Sequence, residues 1–356
     1  MRVLIVDDSA FMRTALTNVF RADEGWDVRT ARDGRDALAA IADFEPDVVT
    51  LDVNMPGMDG LTCLSHIMTE CPRPVVMVSS LTSQGATSTL EALAMGAVDF
   101  VTKPSGTVSL DVKTVGSEIV AKVRAAGMSK RRAKPARRER PASGTKMRVG
   151  GSSSPAPPDG VVLIGCSTGG PRALEDVIGE LPGDFPLPIV VAQHMPGGFT
   201  GALAQRLDEV CALTVVEVTG VVPLRPGMVA IAKGDADVVL SRRGANLCAV
   251  SVPMDAKYAW HPSVDRMVAS ALDVARADQI VGVLLTGMGN DGARTMAEVK
   301  KGGGYTVAES EESSVVFGMP GSLVQLRGAA MVLSSDQIGL HLARLYGTRR
   351  TSYGSR

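Results

Sequence analysis

Four short apolar runs in this chain stop abruptly at a charged or hydroxyl residue, and this pattern constrains the fold more than any other feature. The runs read VLIVDD, VVTLDVNMPGMDG, PVVMVSS and AVDFVTKP, which puts Asp7, Asp8, Asp52 and Lys103 at the ends of predicted strands. In an open parallel α/β sheet the carboxyl ends of the strands line one crevice, and ligands bind there. Three carboxylates crowded into that crevice repel one another unless a cation sits among them, and hard Mg²⁺ with its preference for oxygen ligands suits the place. An Asp beside Mg²⁺, with a Lys able to neutralise a transferred phosphoryl group, is equipped as an acyl-phosphate acceptor. The first third of the chain therefore reads as a switch.

Strand and helix patterns alternate from residue 1 to about 122. Helices are expected over Ser9–Phe20 and Gly34–Phe44, and after Met58, Gly85 and Asp111. Five strands with five helices predict a flavodoxin-like doubly wound sheet. Residues 123–158 then lose all periodicity. Between Gly127 and Pro158 nine Lys or Arg stand against the single acid Glu139, followed by Gly, Ser and Pro, while the whole chain carries a net charge of −1. With so little to bury, this stretch is expected to be a flexible linker. A basic arm for nucleic acid is the alternative, but aromatic residues are not interleaved and no helix-turn-helix pattern follows, so no nucleic-acid partner is expected.

Alternation resumes over residues 159–350, which predicts a second doubly wound α/β domain. Strand candidates are VVLIG, PIVVAQ, LTVVEV, MVAIA, DVVLS, LCAVSV, IVGVLLTG, YTVAE and AMVLS. Their close spacing around residues 213–252 suggests a β-hairpin excursion. A length of 356 residues also makes two domains the default. No apolar run approaches the ~20 residues that cross a bilayer, and MRVLIVDDSA opens as a strand followed by acids rather than as a signal peptide. Cys63, Cys71, Cys166, Cys211 and Cys248 form no CxxC pair, which suits a reducing compartment. A cytoplasmic protein without membrane insertion is expected.

The second domain opens with VVLIGCSTGGPRAL: a strand, a glycine-rich turn, and Pro171 at a plausible first helical turn. Gly165 to Gly169 fit G-x-S-x-G, the sharp turn that exposes a nucleophilic serine, here Ser167. A phosphate- or dinucleotide-binding turn with Ser167 as a helix cap is the bland alternative. A serine nucleophile needs an imidazole and an orienting acid. His66 and His341 fall within helical patterns, which leaves His194, closing PIVVAQ, and His261, in WHPSVD, where it could cap a helix or bind substrate. Asp291 follows IVGVLLTGMGN at another strand end, whereas Asp265 falls inside a helical pattern. The order Ser167, His194, Asp291 differs from the Ser…Asp/Glu…His order of α/β-hydrolases. Keeping that order would require Asp235, Asp237 or Asp255 with His261, or the later His341.

IVDDSAFMR, LDVNMPGMDG, VVMVSSLT and DFVTKP resemble a response-regulator receiver domain. IGCSTGGP, AQHMP, HPSVD, LTGMGNDGA and VVFGMPGS resemble the catalytic domain of CheB-type chemotaxis protein-glutamate methylesterases. The resemblance implies that Asp52 is the phospho-acceptor and that Asp7, Asp8 and Asp52 hold Mg²⁺ with the Asn54 backbone carbonyl. It implies phosphoryl contacts at Ser79 and Lys103, and an aromatic switch at Phe100. It further implies a Ser167, His194, Asp291 triad, an oxyanion donor at the Met288 backbone N–H, and no cofactor in the catalytic domain. Chemoreceptors would be the substrate, demethylated at glutamate methyl esters and deamidated at glutamines, and a chemotaxis histidine kinase would donate the phosphoryl group. Asn54 stands where many relatives carry Glu, and Cys166 where Ala is commoner. A phosphorylation-dependent binding or regulatory protein, or a hydrolase of another acylated protein, are the competing expectations. The first is disfavoured by the intact Ser/His/Asp set and the lack of a DNA-binding module.

Overall fold

The computed structural model describes residues 1–103, 111–129 and 160–347. Most of the expected linker lies outside these residues. The N-terminal domain runs β1 (Arg2–Val6), α1 (Ala10–Arg21), β2 (Asp27–Ala31), α2 (Gly34–Phe44) and β3 (Val48–Asp52). It continues with α3 (Gly60–Glu70), β4 (Val75–Ser79), α4 (Ser83–Met95), β5 (Asp99–Thr102) and α5 (Asp111–Met128). The sheet order is β2-β1-β3-β4-β5 and every pairing is parallel. β3 and β4 are buried along their whole length, as apolar runs must be when helices cover both faces of a parallel sheet. The strand order reverses between β1 and β3, so Asp7 and Asp52 meet at the switch point where such sheets bind ligands.

Helix α5 corrects the expected domain boundary. It continues to Met128, six residues into the stretch assigned to linker, because Val123 and Ala126 are fully buried against the first sheet. Buried apolar contact here outweighs the polar composition that begins just beyond.

The C-terminal domain starts with β6 (Val161–Cys166), α6 (Gly170–Ile178), β7 (Ile189–Gln193), α7 (Phe199–Val210) and β8 (Thr214–Val218). Then come β9 (Val221–Pro223), β10 (Met228–Ala232), β11 (Asp237–Arg243), β12 (Asn246–Val252) and α8 (Val264–Val274). The chain closes with β13 (Ile280–Leu284), α9 (Ala293–Lys301), β14 (Tyr305–Glu309), α10 (Met319–Gln325), β15 (Met331–Leu333) and α11 (Ser335–Tyr346). Seven strands form a parallel sheet in the order β15-β14-β13-β6-β7-β10-β8. The expected excursion is real but narrower than residues 213–252. β11 and β12 form the antiparallel hairpin, joined by the unforeseen β9, while β8 and β10 enter the main sheet.

The two domains touch. Helix α4 packs against α6 and α7, and Phe100 of β5 stacks on Phe199 at the start of α7, with ring centroids 4.5 Å apart and planes 26° apart. Such an aromatic pair contributes ~0.5–1.5 kcal/mol beyond its buried area. Among the described residues no helix is long and apolar enough to cross a membrane.

Candidate active site and acceptor site

In the N-terminal domain, β1, β3 and β5 bring Asp7, Asp8, Asp52 and Lys103 together. Carboxylate oxygens of the three acids lie within 4.8 Å of one another, with Asp7 and Asp52 buried and Asp8 exposed. Lys103 Nζ donates to Asp52 Oδ2 at 2.7 Å and sits 3.1 Å from Asp7 Oδ2. That second approach is an ion pair without hydrogen-bond geometry, so Asp7 Oδ2 is a buried acceptor with no hydrogen-bond donor. An acceptor left open inside an acidic cluster is what a hard cation would satisfy. The donor set therefore fits Mg²⁺.

Burial pushes the Asp52 carboxyl above its ordinary value, and the charge of Asp7 adds to this against the opposing Lys103. For Lys103 burial acts downward, but the Asp52 hydrogen bond and both acidic charges outweigh it and hold its pKa up. The Asn54 amide donates to Asp52 Oδ1 at 3.2 Å. Gly60 presses against the same strand end, where a Cβ would come within 2.1 Å of the Asp52 carbonyl oxygen. Ser79 ends the neighbouring strand, but its hydroxyl donates to the Gly85 carbonyl at 3.2 Å. Phe100 lies apart from the acids, on the domain interface, where Lys122 Nζ approaches its ring at 5.3 Å.

In the C-terminal domain the parallel register pairs Cys166 with Gln193, so the next residues, Ser167 and His194, leave adjacent strands side by side. Adjacent strands lie about 4.8 Å apart. Gly169 takes the turn at φ +79° and α6 begins at Gly170. Ser167 is not the exposed turn serine its motif suggests. It is only 9% exposed, because the loop after β13 lies on it: a Cβ at Gly287 would come within 2.7 Å of Ser167 Cβ. Cys166 beside it is fully buried, and burial pushes its thiol well above the ordinary value, which makes it a poor nucleophile.

His194 Nε2 hydrogen-bonds Asp291 Oδ2 at 2.9 Å. The other ring nitrogen, Nδ1, is buried without a partner. Asp291 also accepts from Val264 N at 2.7 Å, Asp265 N at 2.9 Å and Ser263 Oγ at 3.2 Å, so its carboxylate caps α8. These four partners hold the Asp291 side chain in one orientation at the start of α8. Trp260 lies parallel to the His194 ring, 4° between planes and 5.9 Å between centroids, and packs under Gly289. Thr286 anchors the loop after β13: its amide donates to the buried Glu309 at 2.7 Å and its hydroxyl to the Thr168 carbonyl at 2.9 Å. Among the described residues, the Met288 amide has no hydrogen-bond partner.

The competing acids are engaged elsewhere. Asp265 accepts from Thr295 at 2.7 Å, and Asp235 from the Gly197 amide at 2.9 Å. His261 does pair with an acid, Asp237, at 3.0 Å, but Asp237 also takes Ser263 N at 2.8 Å and Arg266 Nη1 at 2.7 Å. That buried cluster fixes the start of α8, whose amides hold Asp291. Burial alone would raise the Asp237 pKa, yet its hydrogen bonds to His261, Ser263 and Arg266 outweigh it and hold the carboxyl below its ordinary value. A depressed folded pKa gives stabilisation that is complete above the unfolded value of about 3.9 and is lost as pH falls through the folded value. Asp237→Asn should therefore cost ~3–5 kcal/mol at neutral pH, with the gap to wild type narrowing in acid. Denaturant midpoints at the two pH values check this; an equal gap at both would remove charge from the account.

An open groove of about 1300 Å³ separates the domains and is lined by Phe11 and Val19 of α1, Val120 and Met128 of α5, and Met288 and Phe317 across from them. The loop carrying Met288 thus faces the N-terminal domain.

Residues 162–342 match the family model described as CheB methylesterase, and residues 3–114 match the response regulator receiver domain. A curated relative from Rhodospirillum rubrum, protein-glutamate methylesterase/protein-glutamine glutaminase 3, is 52% identical over 99% of both chains. The chain belongs to the CheB methylesterase family. A relative from Rhodopseudomonas palustris with the same activity name is 49% identical over 95% of this chain and 96% of its own. The crystal structure of the Thermotoga maritima CheB methylesterase catalytic domain superposes with a TM-score of 0.51 at 41% identity, covering 52% of this chain and 98% of that one. In this CheB methylesterase, Gln193, Trp260 and Glu309 border the site although sequence reasoning did not single them out. The signal available for the first two was position alone, since each directly precedes a histidine that sequence reasoning did weigh.

Proposed function

We propose that Ser167, His194 and Asp291 form the nucleophile, base and orienting acid of a serine esterase governed by phosphorylation of Asp52. The chain is a phosphorylation-regulated protein-glutamate methylesterase and protein-glutamine glutaminase, the activity its relatives are named for. The observation that carries the site assignment is the His194–Asp291 hydrogen bond at the strand ends beside Ser167.

Ser167 Oγ attacks the γ-carbonyl of a glutamyl methyl ester and its proton passes to His194 Nδ1, the ring nitrogen that the Asp291 bond leaves over. Asp291 holds the Nε2–H tautomer and stabilises the imidazolium. The unpartnered Met288 amide receives the negative charge that develops on the carbonyl oxygen. The imidazolium returns its proton to the departing methoxide, which leaves as methanol. Water, deprotonated by the same Nδ1, then attacks the acyl carbonyl; the bond to Ser167 Oγ breaks, the imidazolium returns the proton to Oγ, and a glutamyl carboxylate is released. With a glutamine substrate the leaving group is ammonia.

At the acceptor site Asp7, Asp8 and Asp52 would hold Mg²⁺, with the Asn54 carbonyl as a further ligand, and the ion would neutralise charge on the transferring phosphoryl group. An Asp52 oxygen attacks the donor's phosphorus and forms the acyl phosphate as the donor's own bond to phosphorus breaks and the dephosphorylated donor departs. Lys103 pairs with the phosphoryl oxygens, and Ser79 exchanges its bond to Gly85 for one of them. Members of this family act on chemoreceptors and receive phosphate from a histidine kinase, and we assign both partners here. The assignment includes a cytoplasmic location, no nucleic-acid partner, no membrane insertion, and no cofactor in the catalytic domain.

Methanol release from methyl-labelled receptor membranes, with and without a small-molecule phosphodonor, tests the whole account. Release should be present and should rise with the phosphodonor; none under either condition would overturn it. The N-terminal domain faces the Met288 loop and is tethered, and a tether of about 30 residues gives a millimolar effective concentration. Removing residues 1 to about 150 should therefore raise basal turnover severalfold and abolish the phosphodonor response. A truncated form slower than the unphosphorylated whole would show that the N-terminal domain mainly activates.

A further inference from the structure

Gln193 is the last residue of β7, 2% exposed, and lies between the two strand ends that carry Ser167 and His194. Its side-chain amide nitrogen donates to the Ser167 carbonyl at 3.0 Å and to the His194 carbonyl at 2.9 Å. Both acceptors are carbonyl oxygens, so only the NH₂ end of an amide suits them and its orientation is fixed. The amide oxygen is left buried without a donor. Gly170, whose own amide donates to the Ser167 carbonyl at 2.7 Å, is pressed against this side chain: a Cβ there would come within 1.9 Å of Gln193 Oε1. We infer that Gln193 is a positioning residue that clamps the backbone of the nucleophile to the backbone of the base and so sets the Ser167–His194 separation. This rests on the triad assigned above.

A buried cross-link between two reacting residues has a definite kinetic signature. Gln193 is too buried to touch substrate, so substrate affinity should not depend on it. A misplacement near 1 Å between reacting groups costs of order 10²-fold in rate. Gln193→Met keeps the length of the side chain and removes both donors. Its kcat should fall about 10- to 100-fold with KM within about twofold, assayed by methanol release well below its own melting temperature. Glu at this position offers one O–H when protonated and no donor when ionised, so the ratio of Gln193→Glu turnover to wild type should rise as pH falls. That ratio decides the matter if Gln193→Met does not fold, and a ratio flat with pH would overturn the clamp. A lower melting temperature with unchanged kcat in Gln193→Met would also overturn it, leaving Gln193 a structural residue. Ser167→Ala in parallel separates two failures. Wild-type turnover in Ser167→Ala sinks the triad itself, whereas full Gln193→Met turnover beside an inactive Ser167→Ala sinks only the clamp.

Discussion

Ser167→Ala is expected to lower methanol release by ~10⁴-fold or more, the loss typical of a serine hydrolase without its nucleophile. The fold should survive the change. Alanine keeps the Cβ that packs beneath Gly287, and the Ser167 backbone keeps its bonds to Thr286, Gly170 and Gln193. Only Oγ is lost, and among the described residues it makes no hydrogen bond. His194→Ala should be about as damaging, because it removes the proton acceptor while Asp291 keeps its three donors at Ser263 and the start of α8. Asp291→Asn should cost less. The losses will not add, since the three residues act as a unit. Residual turnover above a tenth of wild type in Ser167→Ala, with an unchanged melting temperature, would place the nucleophile elsewhere.

At the other end of the chain, Asp52→Asn should abolish phosphate uptake from a small-molecule phosphodonor. The substitution is nearly isosteric but removes the attacking carboxylate and half of the charge opposite Lys103, which stays 3.1 Å from Asp7. Uptake by the wild-type protein should require Mg²⁺ and should stop on chelation. Intact mass after incubation reads both results directly. Labelling that survives Asp52→Asn would move the acceptor to Asp7 or Asp8.

The alternation of strands and helices is legible in the sequence for a physical reason. Strands such as β3 and β4 are covered on both faces, so they must be apolar throughout and must stop where the chain leaves the core. Polar residues at those stops then converge on the crevice, which is why Asp7, Asp52, His194 and Asp291 can be picked out without coordinates. What the sequence conceals is long-range. Ser167 is covered by Gly287, 120 positions later, and no local pattern announces that. β9 is three residues ending in proline, and it exists only because β12 pairs with it. The end of α5 is obscured because Val123 and Ala126, which face the core, alternate with polar and glycine residues that resemble the linker beyond. Gln193 works through backbone carbonyls, and the choice of ring nitrogen on His194 is a matter of rotamer; neither leaves a trace in residue type.

Phe100 belongs to two packing arrangements at once. Lys122 holds it from within its own domain, and Phe199 meets it at the first turn of α7, five residues after His194. A contact of this kind carries free energy in both directions, because the coupling between two binding equilibria is reciprocal. If occupancy at the acid cluster changes how well the catalytic groove accepts a substrate protein, then a substrate protein in the groove changes the affinity of the acid cluster for its ion by the same factor. The enzyme then does more than obey its phosphorylation state. Each receptor it engages also acts on the site that commands it.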